Sequence, residues 1–240
     1  LTTLCLDFGN TRKKYALFQD QSLETQGVLE SDDPESVLDL LNKLKPEKCI
    51  LSSVIHHHPE LEQTLSAHTR FHLLNHHSKL PFATPVGKPE TIGADRLALC
   101  AAAVHFFPGK NNLVIALGTC ITYNFINVKH EFLGGGISPG MDMRFKSLHE
   151  LTAKLPLVRE DWNFPLIGYD TATNITSGVI LGMAKEIDGF LDEYQAQYGN
   201  FNALLTGGNA AYFVPHLKNK IFADPNLIFK GLYAISECNE

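Results

Sequence analysis

Glycine-bearing turns close three strand-like segments of this 240-residue chain: Gly9 in the run Asp7-Phe8-Gly9-Asn10-Thr11, Gly118 before Thr119, and the pair Gly207-Gly208 after Thr206. Exposed backbone N–H groups at such turns attract anions, and hydroxyls at Thr11, Thr119 and Thr206 add donors. Each turn alone reads as an ordinary hairpin. Three of them at strand ends of an α/β chain read as a cradle for the phosphates of a nucleotide. Neither a GxxxxGKS/T loop nor a GxGxxG after the first strand is present, which disfavours a P-loop or dinucleotide fold.

The elements that must carry these turns come in two related sets. Leu4 to Phe18 reads LCLDFGNTRKKYALF and Leu113 to Ile126 reads LVIALGTCITYNFI, so one short phrase is written twice, with the acid of the first copy replaced by Ala116 in the second. Gly9 and Asn10 tolerate the backbone angles of a tight hairpin between strands Leu4 to Phe8 and Tyr15 to Phe18. Pro34 opens a helix with Asp33 as its cap and Val37, Leu41 and Leu44 at helical spacing. Cys49 to Val54 follows as a buried strand, then a helix over Pro59 to His68 and a strand over Phe71 to Leu74. The proline-rich stretch 81–90 is a loop, and Gly93-Ala94-Asp95-Arg96 leads into an Ala-rich helix over Leu97 to Phe107. Pro108-Gly109 and Asn111-Asn112 mark the best boundary, giving domains 1–111 and 112–240.

In the second half the repeated hairpin precedes FLGGGISP (Phe132 to Pro139), whose glycines point to unusual dihedrals or close ligand contact. A helix is expected from Met141 to about Leu155. The longest periodic segment, Thr171 to Tyr198, places Ile175, Val179, Met183, Ile187 and Leu191 on one face, a candidate for a domain or subunit interface. Phe201 to Leu205 is a strand ending in the Gly207-Gly208 turn.

Net charge of −6 and a pI near 6.0 leave no basic stripe for phosphate neutralisation, so nucleic acid is not an expected partner. Five widely spaced cysteines indicate neither a disulfide framework nor zinc, and read as reduced thiols in a cytoplasmic protein. No apolar run is long enough to span a bilayer, and the first residues carry an acid and a turn in place of a signal peptide's apolar core; no membrane association is expected. His56-His57-His58 and His76-His77 lack Cys or carboxylate partners at ligand spacing and are read as solvated loops.

Taken in order, the segments DFGNTRKKYALF (Asp7 to Phe18), GADR (Gly93 to Arg96), LGTCITYNF (Leu117 to Phe125), GGGISPGMDMR (Gly134 to Arg144), the Leu155-Pro156 pair, DTATNITSG (Asp170 to Gly178) and TGGN (Thr206 to Asn209) closely resemble type III pantothenate kinases. These belong to the superfamily of acetate and sugar kinases, heat-shock chaperones and actin. The resemblance covers nearly the whole chain. It implies an α/β fold of two related ribonuclease H-like (actin-like ATPase) domains, each a mixed sheet flanked by helices, with a cleft between them. It also implies ATP-dependent phosphorylation of the primary hydroxyl of pantothenate, with Mg2+ and a monovalent cation (K+ or NH4+), by a homodimer.

By the same resemblance, Asp7 would hold Mg2+ through water, an oxygen ligand suited to a hard ion. Gly9, Asn10, Thr11, Lys14, Gly118, Thr119, Gly207 and Gly208 would contact ATP. Lys13 rivals Lys14, since Lys14 lies an odd number of steps from Asp7 and the strand must change face at the turn. Asp95 would accept the alcohol's proton as general base, a step needing no large pKa shift. Arg96 would pair with the pantothenate carboxylate, alongside Gly93, Ala94 and Val86, with Thr171 contributed across a dimer interface. Two departures stand out. Ala116 replaces the acid associated with the monovalent cation, so that dependence is expected to weaken. Val86 stands where an aromatic residue often meets pantothenate, which reshapes the pocket. These departures keep open a catalytically weakened regulatory or nucleotide-binding protein, and the phosphate cradle is shared with sugar and acyl kinases.

Overall fold

The computed structural model describes residues 1–239 and contains two five-stranded mixed sheets. Two compact units emerge: one of residues 1–109, 126–133 and 226 onward, the other of residues 110–125 and 134–225.

The first unit opens with β1 (Thr2–Phe8), β2 (Lys13–Gln19) and β3 (Ser22–Leu29), an antiparallel meander. There follow α1 (Pro34–Leu44), β4 (Lys48–Ser53), α2 (Leu61–His68), β5 (Arg70–Leu73) and α3 (Ala94–Phe106). The strand order is β3-β2-β1-β4-β5, with β1, β4 and β5 parallel. Asp33 caps α1 as its sequence suggests: Ser36 N–H donates to Asp33 Oδ1 at 2.9 Å. Alternation along β1 sorts the side chains onto two faces. Leu4, Leu6 and Phe8 join Cys49 and Leu51 in a core closed by Val37, Leu40 and Leu41 of α1 and Leu61 and Leu65 of α2. Thr3, Cys5 and Asp7 point to the other face.

The second unit is built on β6 (Asn112–Leu117), β7 (Cys120–Ile126) and β8 (Phe132–Pro139), followed by α4 (Met141–Glu150), α5 (Thr171–Tyr198), β9 (Asn202–Thr206), α6 (Ala210–Phe213) and β10 (Phe222–Ala223). Its order is β10-β9-β6-β7-β8, with β6, β9 and β10 parallel. Ile175, Val179, Met183, Ile187 and Leu191 of α5 are all buried against Leu113, Ile115, Leu117, Ile121 and Phe125. The apolar stripe of α5 therefore covers its own sheet and is not left over for a partner. Asp170 caps α5 in a reciprocal box with Thr173, so Thr171 stands exposed in the first helical position rather than serving as the cap.

Several elements differ from the sequence reading, β10 and the last helix, described below, among them. β3 is an added edge strand, and FLGGGISP is a strand despite its glycines. α4 stops at Glu150, short of Leu155, because Thr152 Oγ1 donates to Leu148 C=O at 2.6 Å and Leu155 precedes a proline that disfavours helical dihedrals.

The last helix, α7 (Leu227–Cys238), packs on α3 within the first unit. Its approach depends on Gly231, where an added Cβ would lie 1.8 Å from Ala98 C=O. Replacing Gly231 with Ala is expected to lower stability by about 1–3 kcal/mol or more, since neither helix backbone can yield without disturbing the core. Urea midpoints of the two proteins measure this directly.

Candidate active site

The register of the first sheet decides which lysine meets Asp7. In the antiparallel pair, Asp7 sits directly opposite Lys14, and cross-strand partners share a face. The Gly9–Arg12 connection, closed by Gly9 N–H to Arg12 C=O at 3.1 Å, absorbs the odd spacing. Lys13 pairs with Phe8 on the opposite face, and its Nζ is held by Asp32 at 2.6 Å. Asp32 also accepts from His58 N–H at 2.7 Å, so Lys13 ties the second strand to the loop before α2. Across the parallel pair, Asp7 is in register with Ser52. One face thus presents a row of Val28, Lys14, Asp7 and Ser52.

Asp95 lies in the first turn of α3, a position where the helix dipole favours an acid. Burial is the main influence on both carboxyls. It lifts Asp7 from 3.8 to about 7, with Lys14 opposing and the charge of Asp95 adding to the rise. Asp95 is also raised by burial, which the N–H and the charge of Arg96 only partly offset. The charge of Asp95 thus reaches Asp7, and both acids belong to the first unit. Asp95 Oδ1 accepts from Arg96 N–H at 2.9 Å, and the Arg96 guanidinium lies 5.4 Å from the centre of the Phe132 ring.

Gly93 leaves room for Asp95: a Cβ there would lie 2.5 Å from Asp95 Oδ1. Its own backbone, φ −59° and ψ 141°, suits any residue. A methyl would therefore move the carboxylate without straining the chain. Gly93→Ala is expected to cut kcat by about tenfold or more through misplacement, while stability falls by no more than about 1 kcal/mol, the cost of alanine at the N-cap of α3. Steady-state kinetics beside thermal melts separate the two effects. Val86 is half-buried in the preceding loop, and Ala94 is buried at the start of α3.

In the second unit the glycine turns leave adjacent strands at the same edge. β6 and β9 run parallel with Ala116 opposite Thr206, so Gly118-Thr119 and Gly207-Gly208 emerge side by side at their carboxyl ends. Ligands of open α/β sheets favour that edge. Gly207 adopts φ +103°, and a Cβ there would lie 2.1 Å from Leu117 C=O, so only glycine fits against the neighbouring strand. Gly140, which the sequence reading leaves out of the site, braces the first of these turns: its N–H donates to Thr119 C=O at 3.0 Å.

The histidine tracts have local tasks. His57 bridges Ser53 Oγ at 3.2 Å and Glu62 Oε1 at 3.0 Å, and His76 stacks on His77. Among the described residues no group of three or more His, Cys, Asp and Glu side chains converges, and no helix is long and apolar enough to cross a membrane.

Against this geometry, the profile of the family described as type III pantothenate kinase matches residues 3–193. The chain belongs to the type III pantothenate kinase family. Curated type III pantothenate kinases are similar along nearly their whole length. That of Christiangramia forsetii is 42% identical over 239 residues, covering 99% of this chain and 98% of its own. That of Flavobacterium johnsoniae is 39% identical and covers 95% of each. Among solved structures, a Campylobacter jejuni protein described under the Baf family of transcriptional activators superposes with a TM-score of 0.63 at 21% identity, over 98% of this chain and 97% of its own. The ROK hexokinase of Thermus thermophilus reaches 0.52 at 11% identity over 98% of each chain. At such identities these neighbours speak for the fold: two mixed sheets flanked by helices, as in the actin-like ATPases and ROK kinases.

Proposed function

We infer that this protein transfers the γ-phosphoryl group of ATP to the primary hydroxyl of pantothenate, giving 4'-phosphopantothenate in the first step of coenzyme A biosynthesis. Near-full-length identity to enzymes named for that reaction carries the reading. The cluster of Asp7, Lys14 and Asp95 gives it a chemistry.

Asp95 is assigned as the base. Its carboxylate takes the hydroxyl proton as the oxygen bonds to phosphorus, and the bond from phosphorus to the leaving ADP oxygen breaks. Arg96 is assigned to the pantothenate carboxylate, with Gly93, Ala94 and Val86 lining the same substrate. Lys14 places a cation beside Asp7 for the phosphates, and Gly9, Asn10 and Thr11 offer donors at the same strand end. In the second unit, Gly118, Thr119, Gly207 and Gly208 are the nucleotide contacts.

The donor set around Asp7 fits Mg2+. It is an oxygen ligand whose carboxylate takes part in no hydrogen bond among the described residues, and the hard ion keeps most of its coordination for water and phosphate oxygens. When bound, the ion would neutralise charge on the phosphates. Asp7 would hold it through water.

We propose a cytoplasmic homodimer in which Thr171 meets the substrate of the neighbouring copy. Leu166, Ile167 and Tyr169, immediately before that threonine, are 74%, 83% and 81% exposed, an apolar surface that suits a covering partner. Ala116 is half-buried in β6 and offers a methyl where an acid would bind a monovalent cation. Activity in sodium buffer is therefore expected to change little as KCl is added, and a strong potassium requirement would overturn this.

A coupled ADP-release assay tests the function. ADP should appear with pantothenate and MgATP, and not with a panel of sugar or acyl acceptors. Nucleotide binding without turnover on pantothenate, even at high Mg2+ and K+, would point to the regulatory alternative.

A further inference from the structure

Two buried hydroxyls in the described residues lack any partner, Thr3 Oγ1 and Ser52 Oγ. Both belong to the first sheet and to the same face. Thr3 and Asp7 are four residues apart on β1, which separates them by about 13 Å along the strand. Ser52 is in register with Asp7 on the neighbouring parallel strand, where side chains stand about 5 Å apart. Ser52 is 1% exposed, and Thr3 is fully buried. An unmade hydrogen bond at such depth is costly, so each hydroxyl calls for a reason.

Thr3 is flanked in register by Phe18 and Lys48, and its row holds no carboxylate. Ser52 is different, because its neighbour is a desolvated carboxylate that takes no hydrogen bond among the described residues. A serine side chain reaches its oxygen through one rotatable bond, and a change of that rotamer can carry the hydroxyl to donate to an acid beside it. A carboxylate that holds a hydrated metal must keep one orientation, and groups behind the ligand supply it.

We propose that Ser52 is a positioning residue for phosphoryl transfer: with nucleotide and metal bound, its hydroxyl donates to the Asp7 carboxylate and fixes the orientation in which that carboxylate holds the metal's water. In the ligand-free protein the bond is unmade, and the hydroxyl costs stability that loading recovers. Ser52 cannot touch substrate from its buried place, so it acts through Asp7. The proposal rests on Asp7 being the carboxylate that serves the metal.

The test compares wild type with Ser52→Ala, Ser52→Thr, Thr3→Val and Asp7→Asn. Mn2+ affinity is read by electron paramagnetic resonance of the free ion, at saturating non-hydrolysable ATP analogue, and melting temperature is read on each apo protein. Ser52→Ala should weaken Mn2+ by about tenfold, the order expected for loss of a hydrogen bond to a charged group, while apo melting temperature is unchanged or raised. Ser52→Thr, which retains the hydroxyl, should restore affinity to near wild type. Thr3→Val should raise the melting temperature and leave Mn2+ affinity alone. If Asp7→Asn weakens Mn2+ but Ser52→Ala does not, the Ser52 role is refuted and the Asp7 assignment stands. If Asp7→Asn also retains affinity, the Asp7 assignment itself fails. A Ser52→Ala protein that melts below wild type would show that the hydroxyl has a structural partner, and would equally end the proposal.

Discussion

Replacing Asp95 with Asn is expected to reduce kcat with pantothenate by about a hundredfold to ten-thousandfold, the range for losing a positioned general base. The substitution is nearly isosteric, and an asparagine oxygen can still accept the Arg96 N–H that Asp95 Oδ1 now accepts at 2.9 Å. KM for either substrate should therefore change far less than kcat, and the melting temperature little. The pH profile adds a second readout. Burial raises the Asp95 carboxyl above its ordinary range, so wild-type activity should fall on the acid side at a higher pH than an ordinary aspartate would give. The Asp7 carboxyl is raised as well, in part by the charge of Asp95, so the acid limb reports on both residues. In the Asn variant that limb should shift to lower pH, since Asp7 has lost its neighbour's charge. A variant keeping most of the wild-type rate would remove Asp95 as the base.

How much of this was legible in the sequence follows from what each residue pattern encodes. The twin hairpins and α5 were readable because their apolar residues recur with the period of the element: the structure places α5 at Thr171–Tyr198, the same residues the spacing marks out. β3 was not, because SLETQGVL is an edge strand with polar residues on both faces, and no alternation betrays it. β8 was hidden by its glycines. Gly135, at φ +149°, is required there because a Cβ would meet Tyr123 C=O at 1.8 Å, a cross-strand contact no local pattern records. α7 went unassigned, and the residue that reads as a helix breaker, Gly231, is the one that lets it approach α3.

The candidate site divides in the same way. Residue types at Asp7, Asp95 and the glycine turns could be picked out from the chain alone. The choice between Lys13 and Lys14 could not, because counting alternate residues fails across a turn whose length is unknown. Register settles it by pairing Lys14 with Asp7 and sending Lys13 to Asp32. Ser52 was invisible for another reason: a serine in a strand is commonplace, and only its burial without a partner beside a carboxylate makes it informative. Periodicity reports which face a residue takes, and chemistry reports what it can do. Adjacency across strands needs the fold.

Replacing Asp7 with Asn should move activity and stability in opposite directions. Activity falls, by about a hundredfold or more, because a neutral amide cannot hold a hydrated cation against the phosphates as a carboxylate does. Stability of the ligand-free protein rises at neutral and alkaline pH. The Asp7 value in the folded chain, about 7, lies above the 3.8 of an ordinary aspartate, so the folded state holds the extra proton more tightly than the unfolded state. Its contribution to folding is fully present below about pH 4 and is lost as pH rises through about 7. At about 1.4 kcal/mol per tenfold in proton affinity, the ionised acid costs the folded state up to about 4 kcal/mol at pH 8. Asparagine has no charge to desolvate and escapes that cost. Denaturant midpoints of wild type and variant should therefore coincide near pH 4 and diverge towards pH 8, with the variant the more stable. Excess MgATP should narrow the gap, because bound cation favours the ionised carboxylate in wild type and finds no such partner in the variant. Equal stability at pH 8 would mean that the Asp7 carboxylate is well solvated, and burial could then no longer be the reason an acid at the end of β1 is poised to take up a cation.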